Sequence, residues 1–158
     1  MSNTRDLMAH VPLSPPPTAL SATTVDLSTI VGRIVGALRQ EMHLSQSAFS
    51  TAIRWDRSLL ARIETGRNTA NADNMYEAET IFIGKNLLQR HGDIMLLAHR
   101  VAWQAKDRGL TVMVGNLEKP EGEGPVEVHT LDRIVSRVID DWLEDLKNPP
   151  CPTCGATK

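Results

Sequence analysis

Apolar residues between Ser28 and Phe82 recur at helical spacing in four successive segments. Ile30, Ile34, Leu38 and Met42, flanked by Val31, Val35 and Ala37, predict a first helix capped by Asp26 or Ser28. Ser45 opens a shorter helix whose inward residues are Ala48, Phe49, Ala52 and Ile53. Arg54 and Trp55 make a tight turn. Asp56 then stands at the cap of a third helix, Arg57 to Thr65, with Leu60 and Ile63 on its inner face and Leu59 beside them. Gly66 sits where helices favour a left-handed residue. After a polar loop, Asn68 to Asn71, a fourth helix is expected from Ala72 to Phe82.

A longer helical stretch is predicted from Gly84 to Arg108, with a break at Gly92-Asp93. Its stripe is Ile94, Leu97, Val101 and Ala105, with Trp103 beside it and Gly109 as its C-cap. Two β-rich runs, Leu110 to Gly115 and Val126 to His129, flank a Gly/Pro/Glu loop and predict a hairpin. Thr130 is then the expected cap of a last helix. Its apolar face is broad: Leu131, Ile134, Val135, Val138, Ile139, Trp142 and Leu146.

The chain has 158 residues, of which 41% are hydrophobic and 23% charged, which suits one domain or a small domain with an accessory segment. The longest apolar runs, such as Ile94 to Ala98, fall far short of the ~20 residues that span a bilayer, so no membrane association is expected. No long apolar segment follows the N-terminus, so no secretory signal is expected either. The two cysteines, Cys151 and Cys154, both fall in the last eight residues and cannot staple a fold; a reducing cytoplasm is the expected compartment. Pro12, Pro15, Pro16 and Pro17 lie among Ser, Thr and Ala without periodicity, which reads as a disordered arm over 1–25.

The net charge of −2 conceals an asymmetry. Ser28 to Ala70 holds six arginines against three acids, a net +3, whereas Leu117 to Lys147 holds nine acids against four bases, a net −5. Arginine offers a planar fork suited to phosphate or a guanine edge. A basic front half and an acidic back half imply two separate tasks.

Leu44 to Gly66 carries the functional argument. Two short helices joined by a tight turn, the second with a polar first turn, make a helix-turn-helix, whose second helix can enter the DNA major groove. Leu44-Ser45-Gln46 at its start and Arg62-Ile63-Glu64-x-Gly66 at its end, with Gly32-Arg33-Ile34 and Leu38-Arg39 upstream, resemble the Cro and phage-repressor type regulators, the XRE family. The resemblance covers Ser28 to Ile83. It implies a lambda-repressor-like DNA-binding domain at 26–84; with the pattern of the remaining residues, the expectation is a mainly α chain in which that domain is followed by a smaller α+β helix–hairpin–helix dimerisation segment at 85–147 and a tail at 148–158. It implies that Arg57, Ser58 and Arg62 contact bases, that Gln46 binds a DNA phosphate and braces the recognition helix, and that Arg67 and Asn68 grip phosphates. It also implies a structural ion pair between Arg39 and Glu64. Three positions depart from the family pattern. Arg54 replaces a frequent turn Gly, at a cost of about 1 kcal/mol if its backbone is left-handed. Trp55 replaces a smaller aliphatic residue and must either enlarge the core or lie on the surface. Ser50 stands where a packed Ala is usual.

The remaining chemistry is sparse. Cys151-Pro-Thr-Cys154-Gly resembles one knuckle of a zinc ribbon, two ligands where structural zinc takes four; a dimer mate, His91, His99 or His129 are the candidate sources of the others. The alternative is two free thiols. No local catalytic signature and no phosphate-binding Gly loop is present, so an enzyme is not expected. The broad stripe through Val138 and Trp142 is the expected homodimer interface, the alternative being an intramolecular cap on the front domain. The resulting expectation is a sequence-specific double-stranded DNA-binding regulator, a dimeric repressor of a palindromic operator. The alternatives are an antitoxin-like protein with a protein partner, or a zinc-responsive sensor.

Overall fold

The computed structural model describes residues 24–113 and 128–148, and these are mainly helical, with six helices and two short strands. In chain order they are β1 (Thr24–Asp26), α1 (Leu27–Glu41), α2 (Gln46–Ile53), α3 (Arg57–Glu64), α4 (Ala72–Gly84), α5 (Asp93–Asp107), β2 (Thr111–Met113) and α6 (Val128–Lys147). None of the helices among the described residues is long and apolar enough to cross a membrane.

Helix α1 is the axis of the fold, with α3, α5 and α6 packed around it. Its four-residue apolar repeat explains this: Ile30, Ile34 and Leu38 are fully buried, and Val31 and Val35 widen the buried stripe. Asp26 is the N-cap, its carboxylate accepting from the Ser28 amide at 3.3 Å and from the Ser28 hydroxyl at 2.7 Å. Helix α4 starts with a reciprocal capping box between Asn71 and Asn74, and its Phe82 enters the core.

The segment after α4 differs from the expected helical stretch between Gly84 and the break at Gly92-Asp93. Residues 85–92 form a loop, with Asn86 in a left-handed conformation at φ 61°. Two buried carboxylates hold it. Glu79 accepts from the amides of Gly92 (2.9 Å) and Ile94 (3.0 Å), and Asp93 accepts from those of Gln89 (2.8 Å) and Arg90 (3.0 Å). The Glu79 bonds satisfy amides that would otherwise be orphaned at the start of α5, and the Asp93 bonds satisfy amides of the loop before it. The helix begins only after Gly92, at the expected break.

The expected hairpin is also replaced. Thr111–Met113 pairs in parallel with Thr24–Asp26, in the register Thr24 to Thr111, Val25 to Val112 and Asp26 to Met113. Residues 114–127, which include the expected loop and part of each expected strand, lie outside the described residues. Val128 and His129 begin α6 rather than a strand, so Thr130 lies inside the helix and is not its cap. The pairing places the buried Val25 against the core and ties the entry of α1 to the exit of α5.

Helix α6 corrects the expected dimer interface. Leu131, Ile134, Val135, Val138, Ile139 and Trp142 are all buried within the single chain, against α1 and α5. Val138 and Trp142 are therefore spent on the chain's own core instead of forming the exposed face that was expected, although Val138 still lines a groove between α5 and α6. The Trp142 indole N–H donates to the Leu87 carbonyl at 2.9 Å, and the Arg100 guanidinium lies 5.1 Å from the ring centre. Residues 26–84 and 85–147 thus contribute to one continuous core. The sequence showed a stripe in need of cover, but not whether the cover came from the same chain.

Candidate nucleic-acid interface

The α2–turn–α3 unit begins at Ser45, whose hydroxyl accepts from the Ala48 amide at 3.1 Å. Ser50 is buried, and its hydroxyl donates to the Gln46 carbonyl at 2.6 Å, which accommodates a polar group where an Ala was the expectation. Helix α2 ends at Arg54, with φ 63° and ψ 34°. The turn is left-handed at this position, and arginine bears the strain.

Trp55 resolves its two alternatives by using both ends of the indole. Its ring is half-buried edge-on to Phe49 (centroids 6.5 Å apart), and Phe49 stacks on Phe82 at 5.5 Å. Its N–H donates to the Glu77 carboxylate on α4 at 3.1 Å. The turn is thereby anchored to α4.

Helix α3 is set against α1 by three glycines. A Cβ on Gly32 would overlap the Ile63 carbonyl oxygen and lie 2.9 Å from the carbonyl carbon. At Gly36 it would meet the Glu64 carboxylate at 3.2 Å, and at Gly66 (φ 79°) it would lie 2.9 Å from the Thr29 Cβ. Gly32 and Gly36 are one helical turn apart, so they form a flat strip on α1 that admits the end of α3.

Beside that strip lies a nearly buried polar network. Arg39 donates to both Glu64 oxygens, Nε to Oε2 at 2.7 Å and Nη2 to Oε1 at 3.0 Å, and its Nη1 donates to the Leu44 carbonyl at 2.7 Å. The Gln46 amide donates to Glu64 Oε1 at 3.1 Å. The network joins α1, the start of α2 and the end of α3, and the fork-to-carboxylate pairing fixes its geometry. The expected Arg39–Glu64 pair is therefore present, and Gln46 completes it.

Arg57, Ser58 and Arg62 are all exposed on α3, opposite the buried Leu60 and Ile63. Leu59 is half-buried. Asp56 occupies the N-cap position, but its carboxylate makes no bond to a helix amide. It accepts instead from the Ser58 hydroxyl at 2.8 Å. With its hydrogen committed, that hydroxyl faces outward as an acceptor. Arg67 is exposed and Asn68 half-exposed just beyond α3, where both backbone amides donate to the Arg62 carbonyl at 2.8 and 3.1 Å.

The arginines divide into two groups. Arg39 is held by Glu64, and Arg33 lies 3.6 Å from Asp132 on α6. Arg54, Arg57, Arg62 and Arg67 are exposed, and none forms an ion pair among the described residues. The sequence already set Arg39 apart as a structural residue; the structure adds Arg33 to it and leaves four arginines facing outward.

Cys151 and Cys154 lie outside the described residues, as does the side chain of His129. His91 stacks on Tyr76 at 4.1 Å and shares a hydrogen bond with the Thr80 hydroxyl, and His99 is exposed on α5. No group of three metal-binding side chains gathers among the described residues. The chain matches no family model, no curated protein and no solved structure.

Proposed function

We propose that this chain is a sequence-specific double-stranded DNA-binding regulator of the Cro and phage-repressor type, acting as a dimeric repressor on a palindromic operator. The observation that carries the reading is the contrast between the two faces of α3. Its inner face and C-terminal end are locked onto α1 by Gly32, Gly36 and the Arg39–Glu64–Gln46 network. Its outer face carries exposed Arg57, Ser58 and Arg62, with Arg54 and Arg67 at either end. A short, rigid helix with guanidinium groups outward is what major-groove reading requires.

Within this reading Arg57 and Arg62 are placed for guanine O6 and N7. Ser58, an acceptor through its bond to Asp56, suits the amino group of adenine or cytosine. Arg54, Arg67 and Asn68 supply phosphate contacts that position the protein without choosing sequence. Gln46 acts first as a brace, since one amide hydrogen is committed to Glu64, and its second remains for a phosphate.

The test is binding of fluorescent duplexes at several salt concentrations. The expected result is a steep loss of affinity with salt, from released counterions, with Arg62→Ala losing discrimination between sites while keeping native helicity. Unchanged site preference in a folded Arg62→Ala protein would remove that residue from the reading surface.

A further inference from the structure

A groove of about 500 Å³ runs between α5 and α6, on elements that contribute none of the residues assigned to DNA. Two large apolar side chains on its α5 wall have no cover: Trp103 is 71% exposed and Leu96 45% exposed. They lie two helical turns apart on one face of α5, with His99 and Arg100 between them. The opposite wall carries Asp141 and Asp145, one turn apart on α6. Exposed tryptophan beside arginine is the composition of an interface centre, and such a patch on a monomer marks an interaction site.

We infer that this groove is the homodimer interface, with a second copy of the chain as its occupant. The argument is one of charge. A two-fold interface places the same patch on both subunits, so the patch must complement itself. This one does: one wall is cationic through Arg100 and the other anionic through Asp141 and Asp145. A two-fold contact brings each Arg100 to the acid pair of the other copy and buries both Trp103 rings between them. The inference rests on the dimeric reading proposed above and moves the centre of its interface from Val138, which lines the groove but is buried, and Trp142 to the exposed Trp103 and Leu96.

The experiment is sedimentation equilibrium of the full chain without DNA, from about 1 to 100 µM, a span typical of weak to moderate association. The expected result is twice the chain mass, with Trp103→Ser raising the dissociation constant at least about tenfold. Trp103 makes little contact within its own chain, so a thermal melt should be unchanged. Asp141→Arg should weaken the dimer, and adding Arg100→Glu should restore it. A single-chain mass throughout overturns the inference and leaves the groove to a different protein. A dimer indifferent to Trp103→Ser also overturns it, because another face would then be in use. Duplex binding by the same samples separates the two proposals. A Trp103-dependent dimer that binds no DNA supports the groove and defeats the regulator reading, whereas a monomer that binds duplex does the reverse.

Discussion

Gly32→Ala tests how α3 is held. Replacing glycine in a helix interior ordinarily stabilises by about 1 kcal/mol through backbone entropy. Here the added methyl would overlap the backbone oxygen of Ile63, which has no rotamer to move into. Overpacking of this kind commonly costs about 1–3 kcal/mol, and a rigid obstacle puts the cost at or above the upper end. The net expectation is a loss of about 2 kcal/mol or more, or a fall in Tm of about 8 °C at ~4 °C per kcal/mol. Gly36→Ala is the internal control. Its methyl would meet the Glu64 carboxylate at 3.2 Å, which needs a shift of only a few tenths of an ångström in a side chain, so the packing cost should be far smaller than at Gly32 and largely offset by the helical gain. Urea denaturation of the two variants supplies the comparison. If Gly32→Ala proves as stable as Gly36→Ala, the close approach of α1 and α3 is not as described, and the rigid outward face of α3 loses its support.

Further outcomes follow from other contacts. Arg54→Gly should raise stability by about 0.5–1 kcal/mol, because glycine removes the left-handed strain and offsets part of it with unfolded-state entropy; a loss of stability would mean that the arginine makes a compensating contact. Arg39→Ala leaves the nearly buried Glu64 carboxylate without its main partner, and a loss of about 3 kcal/mol is expected by chemical denaturation. Glu79→Ala orphans the amides of Gly92 and Ile94, for a loss of about 2 kcal/mol or more. Hydrogen exchange should show those two amides losing protection, and unchanged protection would disprove the tie.

How far these features could be read from the sequence depended on how local their cause was. Helix α1 and its cap at Asp26, the inward face of α3, and the left-handed Gly66 all arise from spacing within a few residues, so pattern reading reached them; on α2 it found Phe49 and Ile53, whereas Ala48 and Ala52 are exposed and Ser50 is buried in their stead. The α5–α6 half was misread where the cause is distant in sequence. Thr111–Met113 pairs with Thr24–Asp26, a parallel partner more than 80 positions away, and local alternation in 110–129 suggested a hairpin instead. The loop at 85–92 depends on the Glu79 carboxylate reaching Gly92 and Ile94, and nothing in the helical stripe announces that bond. At the candidate site, Arg57, Ser58, Arg62, Arg67 and Asn68 were locatable from the motif. The role of Gly32 had a legible signal, its four-residue spacing from Gly36. Asp56 differed from expectation because the Ser58 hydroxyl competes for its carboxylate.

The central claim is sequence-specific DNA binding through the outward face of α3. Selection from random duplex DNA with the purified full chain, run beside an Arg57→Ala/Arg62→Ala double variant of equal helicity, tests it most directly. The account predicts enrichment of an inverted repeat by the native chain and its loss in the variant. Absence of any enriched site at low salt, from a folded protein, would contradict it.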